Sequence, residues 1–180
     1  MTGKLLALAL LASAAAHADQ AWTFEPGQTL VRVEMGPARA RLSATSIDLS
    51  GRVVERAAGT LQAEIRIALA SFGTGQAARD EKLHQLGDAE HFPEAVFTGA
   101  APAARDGATQ LQGTLTLHGI AKALTVPVEV VRAAGMTFGH ATLTLHLRDF
   151  GFALPESTSD EVRVDIDAGL RPEGALASRD

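Results

Sequence analysis

The sequence predicts an all-β chain: an eight-stranded antiparallel up-and-down barrel with one short helix after the third strand. Three observations carry this. Apolar and polar residues alternate with period two along most of the chain, the mark of strands with one dry and one wet face. Only one stretch carries helical start and stop signals. No strong strand is polar on both faces, as an edge strand often is, which favours closure over a two-sheet sandwich, the alternative arrangement.

The strands follow in order. Thr29–Met35 places Val31, Val33 and Met35 on one face, and Ser46–Val54 does the same with Ile47, Leu49 and Val53. Thr60–Ala70 sets Leu61, Ala63, Ile65, Ile67 and Leu69 against Gln62, Glu64 and Arg66. The helix comes next, over Gln76–Leu86, with Thr74 to cap it, Asp80 and Glu81 early, and Gly87 to close it. Its apolar pair is Leu83 and Leu86, enough to hold it against one end of a sheet. Pro93–Gly99 is a weaker strand. Thr109–His118 alternates through Leu111, Gly113, Leu115 and Leu117, and Ala123–Val131 through Leu124, Val126, Val128 and Val130. Ala141–Arg148 carries Leu143, Leu145 and Leu147, after which Asp149 breaks the alternation and marks a bulge or strand end. Glu161–Leu170 closes the series with Val162, Val164, Ile166 and Ala168 on the dry face. Turn residues sit between: Gly36-Pro37, Ala58-Gly59, Asp106-Gly107 and Ala134-Gly135.

Three segments are expected. Residues 1–18 read as a cleaved signal peptide: Lys4 gives a positive start, Leu5–Ala15 is a short apolar run, and Ala16-His17-Ala18 suits a signal peptidase cutting after Ala18. That run is well short of the roughly 20 residues a spanning helix needs. Residues 19–171 form the barrel, and 172–180 form a polar tail. Export without any cysteine points to a bacterial periplasm rather than to a disulfide-stapled secretion product.

Composition removes several function classes. The 180 residues carry a formal charge of −5 with no basic block, so the electrostatic footprint of a nucleic-acid binder is missing. Without cysteine there is no thiolate metal site and no Cys nucleophile. With no Tyr and one Trp the chain cannot build the aromatic girdles of an outer-membrane barrel. His84, His91, His118, His140 and His146 show no H-x-x-x-H or H-E-x-x-H spacing, and no G-x-S-x-G is present. Gly73-Thr-Gly75 lacks the lysine-serine ending of a phosphate loop.

Five blocks stand in a particular order. They are Ser71-Phe72-Gly73-Thr74-Gly75, Arg79-Asp80-Glu81-Lys82-Leu83, His91-Phe92-Pro93-Glu94-Ala95-Val96-Phe97, Gly113 through His118-Gly119 to Lys122, and Arg148-Asp149-Phe150-Gly151. The series, from about Trp22 to Leu170, resembles the YceI-like family of exported, lipocalin-like proteins. Many of that family have a His near the first strand and paired aromatics where this chain reads Gly87-Asp88-Ala89-Glu90-His91. The resemblance implies an elongated eight-stranded barrel holding a polyisoprenoid or quinone-like amphipath, and no catalysis.

The residues expected against such a ligand are Phe72, Arg79, Asp80, Leu83, Phe92, Phe97, Leu115, Leu117, Leu145, Phe150 and Phe152. Arg79 and Asp80 form either an ion pair at the barrel mouth or a solvated helix start. His118, beside Gly119, serves to pin its turn by a hydrogen bond in preference to touching ligand. Phe150 and Phe152 share one face, lining the barrel or packing in its core.

The leading function is a periplasmic carrier of a long apolar lipid, with no cofactor beyond that bound lipid. No metal, no catalytic residue and no nucleic acid are expected, and a homodimer is compatible with the rest. Two alternatives stand beside it: an enzyme using His118 and Asp80 at the barrel mouth, and a filled barrel acting through a protein partner.

Overall fold

A computed structural model describes residues 19–37, 41–104 and 106–174; the expected signal peptide, residues 1–18, lies outside the described residues. The elements are β1 (Gln20–Met35), β2 (Leu42–Ser46), β3 (Leu49–Arg56), β4 (Thr60–Ala68), α1 (Ala77–Leu86), β5 (Glu94–Pro102), β6 (Gly107–Leu117), β7 (Ile120–Ala133), β8 (Met136–His146) and β9 (Glu161–Pro172). Every pairing is antiparallel. Neighbours run β1-β3-β4-β5-β6-β7-β8-β9, and β9 returns to β1 through Thr29↔Ala168 to Met35↔Val162, closing an eight-stranded barrel.

The short β2 does not add a ninth position. It pairs with the far half of β1 (Val31↔Ser46 to Met35↔Leu42), while β3 pairs with the near half (Gln20↔Glu55 to Thr23↔Arg52). The two are one barrel position interrupted at Ile47-Asp48. The cause is Ser46: its hydroxyl accepts the Asp48 N–H at 3.0 Å and shares a 2.6 Å bond with Ser71. Beside it, Thr45 and Gly73 exchange both backbone bonds, so the chain after β4 is stitched to β2. The expected strand Ser46–Val54 is therefore broken, and Ile47, expected on the dry face, is 68% exposed.

The helix begins one residue later than expected, and its ends differ in detail. Gln76 is the N-cap and makes no side-chain cap bond; Thr74 instead accepts the Gln76 N–H and turns its own hydroxyl to Asp80. At the other end Gly87 remains right-handed (φ −76°). Asp88 takes the left-handed position (φ 44°), with Asp88 N–H bonded to Gln85 O and Ala89 N–H to His84 O. That pair of bonds is the Schellman pattern, displaced one residue beyond the glycine.

At the chain's end, β9 runs to Pro172 rather than stopping at the expected boundary. Glu173 is fixed, too: its N–H donates to Ala21 O, and its carboxylate receives two hydrogen bonds from Arg52. These tie the first part of the expected polar tail to the barrel.

The inward phase of each strand supplies the core. One buried cluster sits at the helix end (Val31, Ala44, Phe72, Leu117, Leu145, Leu147, Phe150, Val162, Val164), a second at mid-barrel around Phe97, Leu111 and Val126, and a third at the far end around Trp22 and Leu170.

Candidate functional site

The clusters do not fill the barrel. Between them runs a cavity of about 350 Å³, lined from Met35, Leu42, Phe72, Leu83 and Phe152 at the helix end to Trp22, Thr109, Arg132 and Thr137 at the other. This volume lies within the range of small-molecule sites. Thr109 and Leu117 line it from the two ends of β6; eight residues apart, they span about 27 Å of strand, or roughly 20 Å along the axis of a barrel tilted near 40°.

Two glycines keep that space open. Gly99 and Gly113 face each other across β5 and β6 on the inward phase. A Cβ on Gly113 would stand 2.2 Å from Thr98 O and 2.7 Å from the Phe97 ring, and one on Gly99 would stand 2.7 Å from the same ring. The far edge of the Phe97 ring thus occupies the space that side chains at both glycines would take. A large inward side chain is accommodated at no loss of bore.

Arg132 is the one ionisable side chain among the described residues that line the cavity. It continues the inward phase Leu124, Val126, Val128 and Val130 of β7. Its guanidinium stands 5.5 Å from the Trp22 ring centroid and donates to Glu55 at 3.3 Å, while its backbone N–H donates to Asp106. Neither Trp22 nor Arg132 is among the residues expected against a ligand; the signal for Arg132 is the phase of β7, which runs on for one more step.

Of the residues expected against a ligand, Phe72, Leu83, Phe97, Leu115, Leu117, Leu145 and Phe152 line the cavity. Arg79, Asp80, Phe92 and Phe150 do not. Arg79 is exposed, and no ion pair joins it to Asp80 among the described residues. Asp80 is committed to Thr74, accepting its N–H at 2.6 Å and its hydroxyl at 2.5 Å. Those two bonds, the hydroxyl first, hold its carboxyl below the usual carboxylate range. Phe150 is only 2% exposed, packed beneath the lumen in the helix-end cluster. The cause is the 3-10 turn Leu147–Phe150: its three-residue period takes Phe150 and Phe152 off a common face.

Phe92 and His118 form one support. The His118 ring packs against Phe92 (centroids 4.4 Å) and Phe152 (4.8 Å), and its Nδ1–H donates to Phe150 O at 3.2 Å. His118 thus pins the β6–β7 turn to the 3-10 turn. It also carries a positive φ of 51°, and Gly119 follows at 73°, pressed so closely by Phe92 that a Cβ would fall 2.7 Å from that ring. His84 likewise donates to Phe72 O at 2.9 Å, tying α1 to the segment that closes this end. His91 and His140 face Asp88 and Asp167 on the surface. Among the described residues no group of three or more His, Asp or Glu converges as a metal site, and no helix is long and apolar enough to cross a membrane.

The family model for the YceI-like domain matches residues 22–170. This chain belongs to the YceI-like family. A UPF0312 protein of Pseudomonas putida (strain W619) is 31% identical over 111 residues, 57% of this chain and 58% of that protein, so the chain aligns with little more than half the length of the curated relatives it matches. Among solved structures, BcnA of Burkholderia cenocepacia superposes with a TM-score of 0.73 at 21% identity, covering 81% of this chain and 98% of BcnA. A polyisoprenoid binding domain from Saccharophagus degradans, implicated in plant cell wall breakdown, gives 0.70 at 17% identity, covering 83% and 97%. A Campylobacter jejuni YCEI protein gives 0.59 at 20% identity, covering 72% and 84%. At these identities the three structures establish the fold of the YceI-like chain: the closed antiparallel barrel expected from its alternation.

Proposed function

We propose that the protein binds a long apolar isoprenoid or quinone-like lipid inside its barrel and carries or sequesters it in the bacterial periplasm. The observation that carries this reading is the lumen itself: about 350 Å³ of continuous space walled by Leu, Val, Ile, Ala and Phe, with one charged side chain at one end. Each buried CH₂ contributes roughly 0.8 kcal/mol, so a long tail supplies ample affinity with few polar contacts. That energy is non-directional, and tails of differing length and branching are accepted. Family membership and a structural neighbour described as a polyisoprenoid binding domain support the same class of ligand.

A binding role also suits the groups an enzyme at this end would need. His118 has its Nδ1–H on Phe150 O and packs against Phe92 and Phe152, and Asp80 accepts from Thr74, so each acts as a tie within the barrel end.

The test compares two substitutions on neighbouring residues of β6. Leu115 lines the lumen and Thr116 lies on the opposite face of the strand. Leu115→Glu sets a carboxylate in an apolar space and abolishes lipid retention, whereas Thr116→Glu retains it. Equal lipid recovered from both purified variants would refute the reading.

A further inference from the structure

The lumen is polar at one end only. At the helix end the side chains that line the lumen are apolar without exception among the described residues, Met35, Ile67, Phe72, Leu83, Leu117 and Phe152 among them. At the other end the same inward phase turns polar on four strands, ending in Glu55 on β3, Thr109 on β6, Arg132 on β7 and Thr137 on β8. Arg132 and Glu55 are about one-third exposed, so this rim meets solvent, whereas Trp22 beside them is buried. An amphipath in such a tube has one favourable orientation: its tail toward α1 and its head at Arg132.

Charge then selects the kind of head. Arg132 is already opposed by Glu55, and Asp106 holds its backbone N–H. The other described arginines of this rim are matched as well: Arg52 by Glu173, Arg56 by Asp19 and Arg171 by Glu25. Among the described residues no uncompensated positive charge of this rim waits for an anion, and an anionic head would sit beside the Glu55 carboxylate. Hydrogen-bonding capacity is not exhausted, however. A guanidinium has five N–H donors, and among the described residues the Arg132 side chain uses one, in a long 3.3 Å bond.

Resting on the lipid-binding reading above, we infer that Arg132 is the specificity-determining residue of the lumen and selects a neutral head bearing a carbonyl-type acceptor over an anionic one. Glu55 performs the rejection: it neutralises Arg132 without occupying all its donors. Like-charge repulsion of this kind is how a site discriminates between ligands that share a tail.

The test uses the lipid-stripped protein and three prenyl probes: farnesylacetone (ketone head), farnesyl diphosphate (anionic head) and β-farnesene (no head). Binding is followed by the emission of Trp22, the chain's single tryptophan, which stands beside Arg132. Farnesylacetone should bind about tenfold tighter than either of the others, the scale of one hydrogen bond to a charged donor. Arg132→Met should reduce farnesylacetone to the level of β-farnesene and leave β-farnesene unchanged. Glu55→Gln should shift the preference toward the diphosphate by about tenfold, a gain that misfolding cannot mimic. The inference is overturned if the diphosphate binds tightest to the unaltered protein, or if the ketone preference survives Arg132→Met. Binding of all three probes with no head preference sinks the inference and leaves the lipid-binding reading standing; binding of none sinks both.

Discussion

Replacing Gly113 with alanine would force β5 and β6 apart. The added methyl would stand 2.2 Å from Thr98 O and 2.6 Å from the Gly99 Cα, where ordinary contact begins at 3.4 Å. Both atoms are backbone, so no side-chain rotation relieves the clash, and the strands must separate by about 1 Å at that point. A stretch of that size takes a 2.9 Å backbone bond out to nearly 4 Å, beyond hydrogen-bonding range. The β5–β6 ladder runs only from Val96↔Thr116 to Ala100↔Gln112, so losing its centre costs on the order of two bonds, about 1 kcal/mol each, plus overpacking of about 1–3 kcal/mol. The expected destabilisation is roughly 3–5 kcal/mol, a large part of a total near 5–15 kcal/mol. The displaced Phe97 ring would also swing into the lumen and reduce lipid retention. Gly139→Ala is the matched comparison: it lines the same lumen, has no positive φ, and its added methyl meets only Val128 Cγ1 at 3.7 Å. Urea unfolding of both variants decides the matter. A Gly113→Ala protein within 1 kcal/mol of the unaltered chain would refute the argument that the two glycines set the bore.

Two further outcomes follow from the same geometry. The Arg163 guanidinium, then the Thr142 hydroxyl, hold the Asp165 carboxyl down at about 2, below its ordinary 3.8. A depressed folded-state value contributes stability that is present above about pH 4 and lost as pH falls toward 2. The contribution is about 1–2 kcal/mol after allowance for partial solvent screening. In urea titrations from pH 6 to pH 2, the stability gap between the unaltered protein and Asp165→Asn should close with acid; a gap that stays constant would count against the assignment. Asp80→Ala removes the acceptor of both Thr74 bonds at the start of a helix with no buried residue. Amides of 77–86 should then exchange with solvent at least tenfold faster while those of β6 keep their protection, and uniform acceleration across the barrel would show that Asp80 supports more than the helix end.

The fold was legible wherever one physical rule acted alone. The strong strands β4, β6, β7, β8 and β9 each bury one face against the lumen, and period two follows directly. Legibility fails where distant groups decide. The break at Ile47-Asp48 depends on Ser71, a hydroxyl 25 residues further along, and nothing near Ser46 announces it. The first half of β1 hides because its ladder is irregular between Phe24 and Thr29, which shifts the phase of Trp22 and Phe24 against Val31 and Val33. The site shows the same division. Leu115, Leu117 and Leu145 line the lumen, as alternation predicts, whereas the 3-10 turn separates Phe150 from Phe152, which alternation puts on one face. Arg79 and Asp80 adjoin in sequence, but a helix sends neighbours to different faces, and Thr74 claims the carboxylate. Arg132 lies one step beyond the expected strand Ala123–Val131, where apolar alternation ends although the inward phase of β7 continues.

That the lumen holds an apolar lipid can be tested without choosing a ligand in advance. The full chain, expressed with its own N-terminus and purified without detergent, would be extracted into organic solvent and the extract analysed by mass spectrometry. The predicted result is a stoichiometric isoprenoid or quinone-like lipid, absent from the Leu115→Glu protein prepared in parallel. A folded protein that yields no lipid, and takes up none on incubation with such lipids, would contradict the claim.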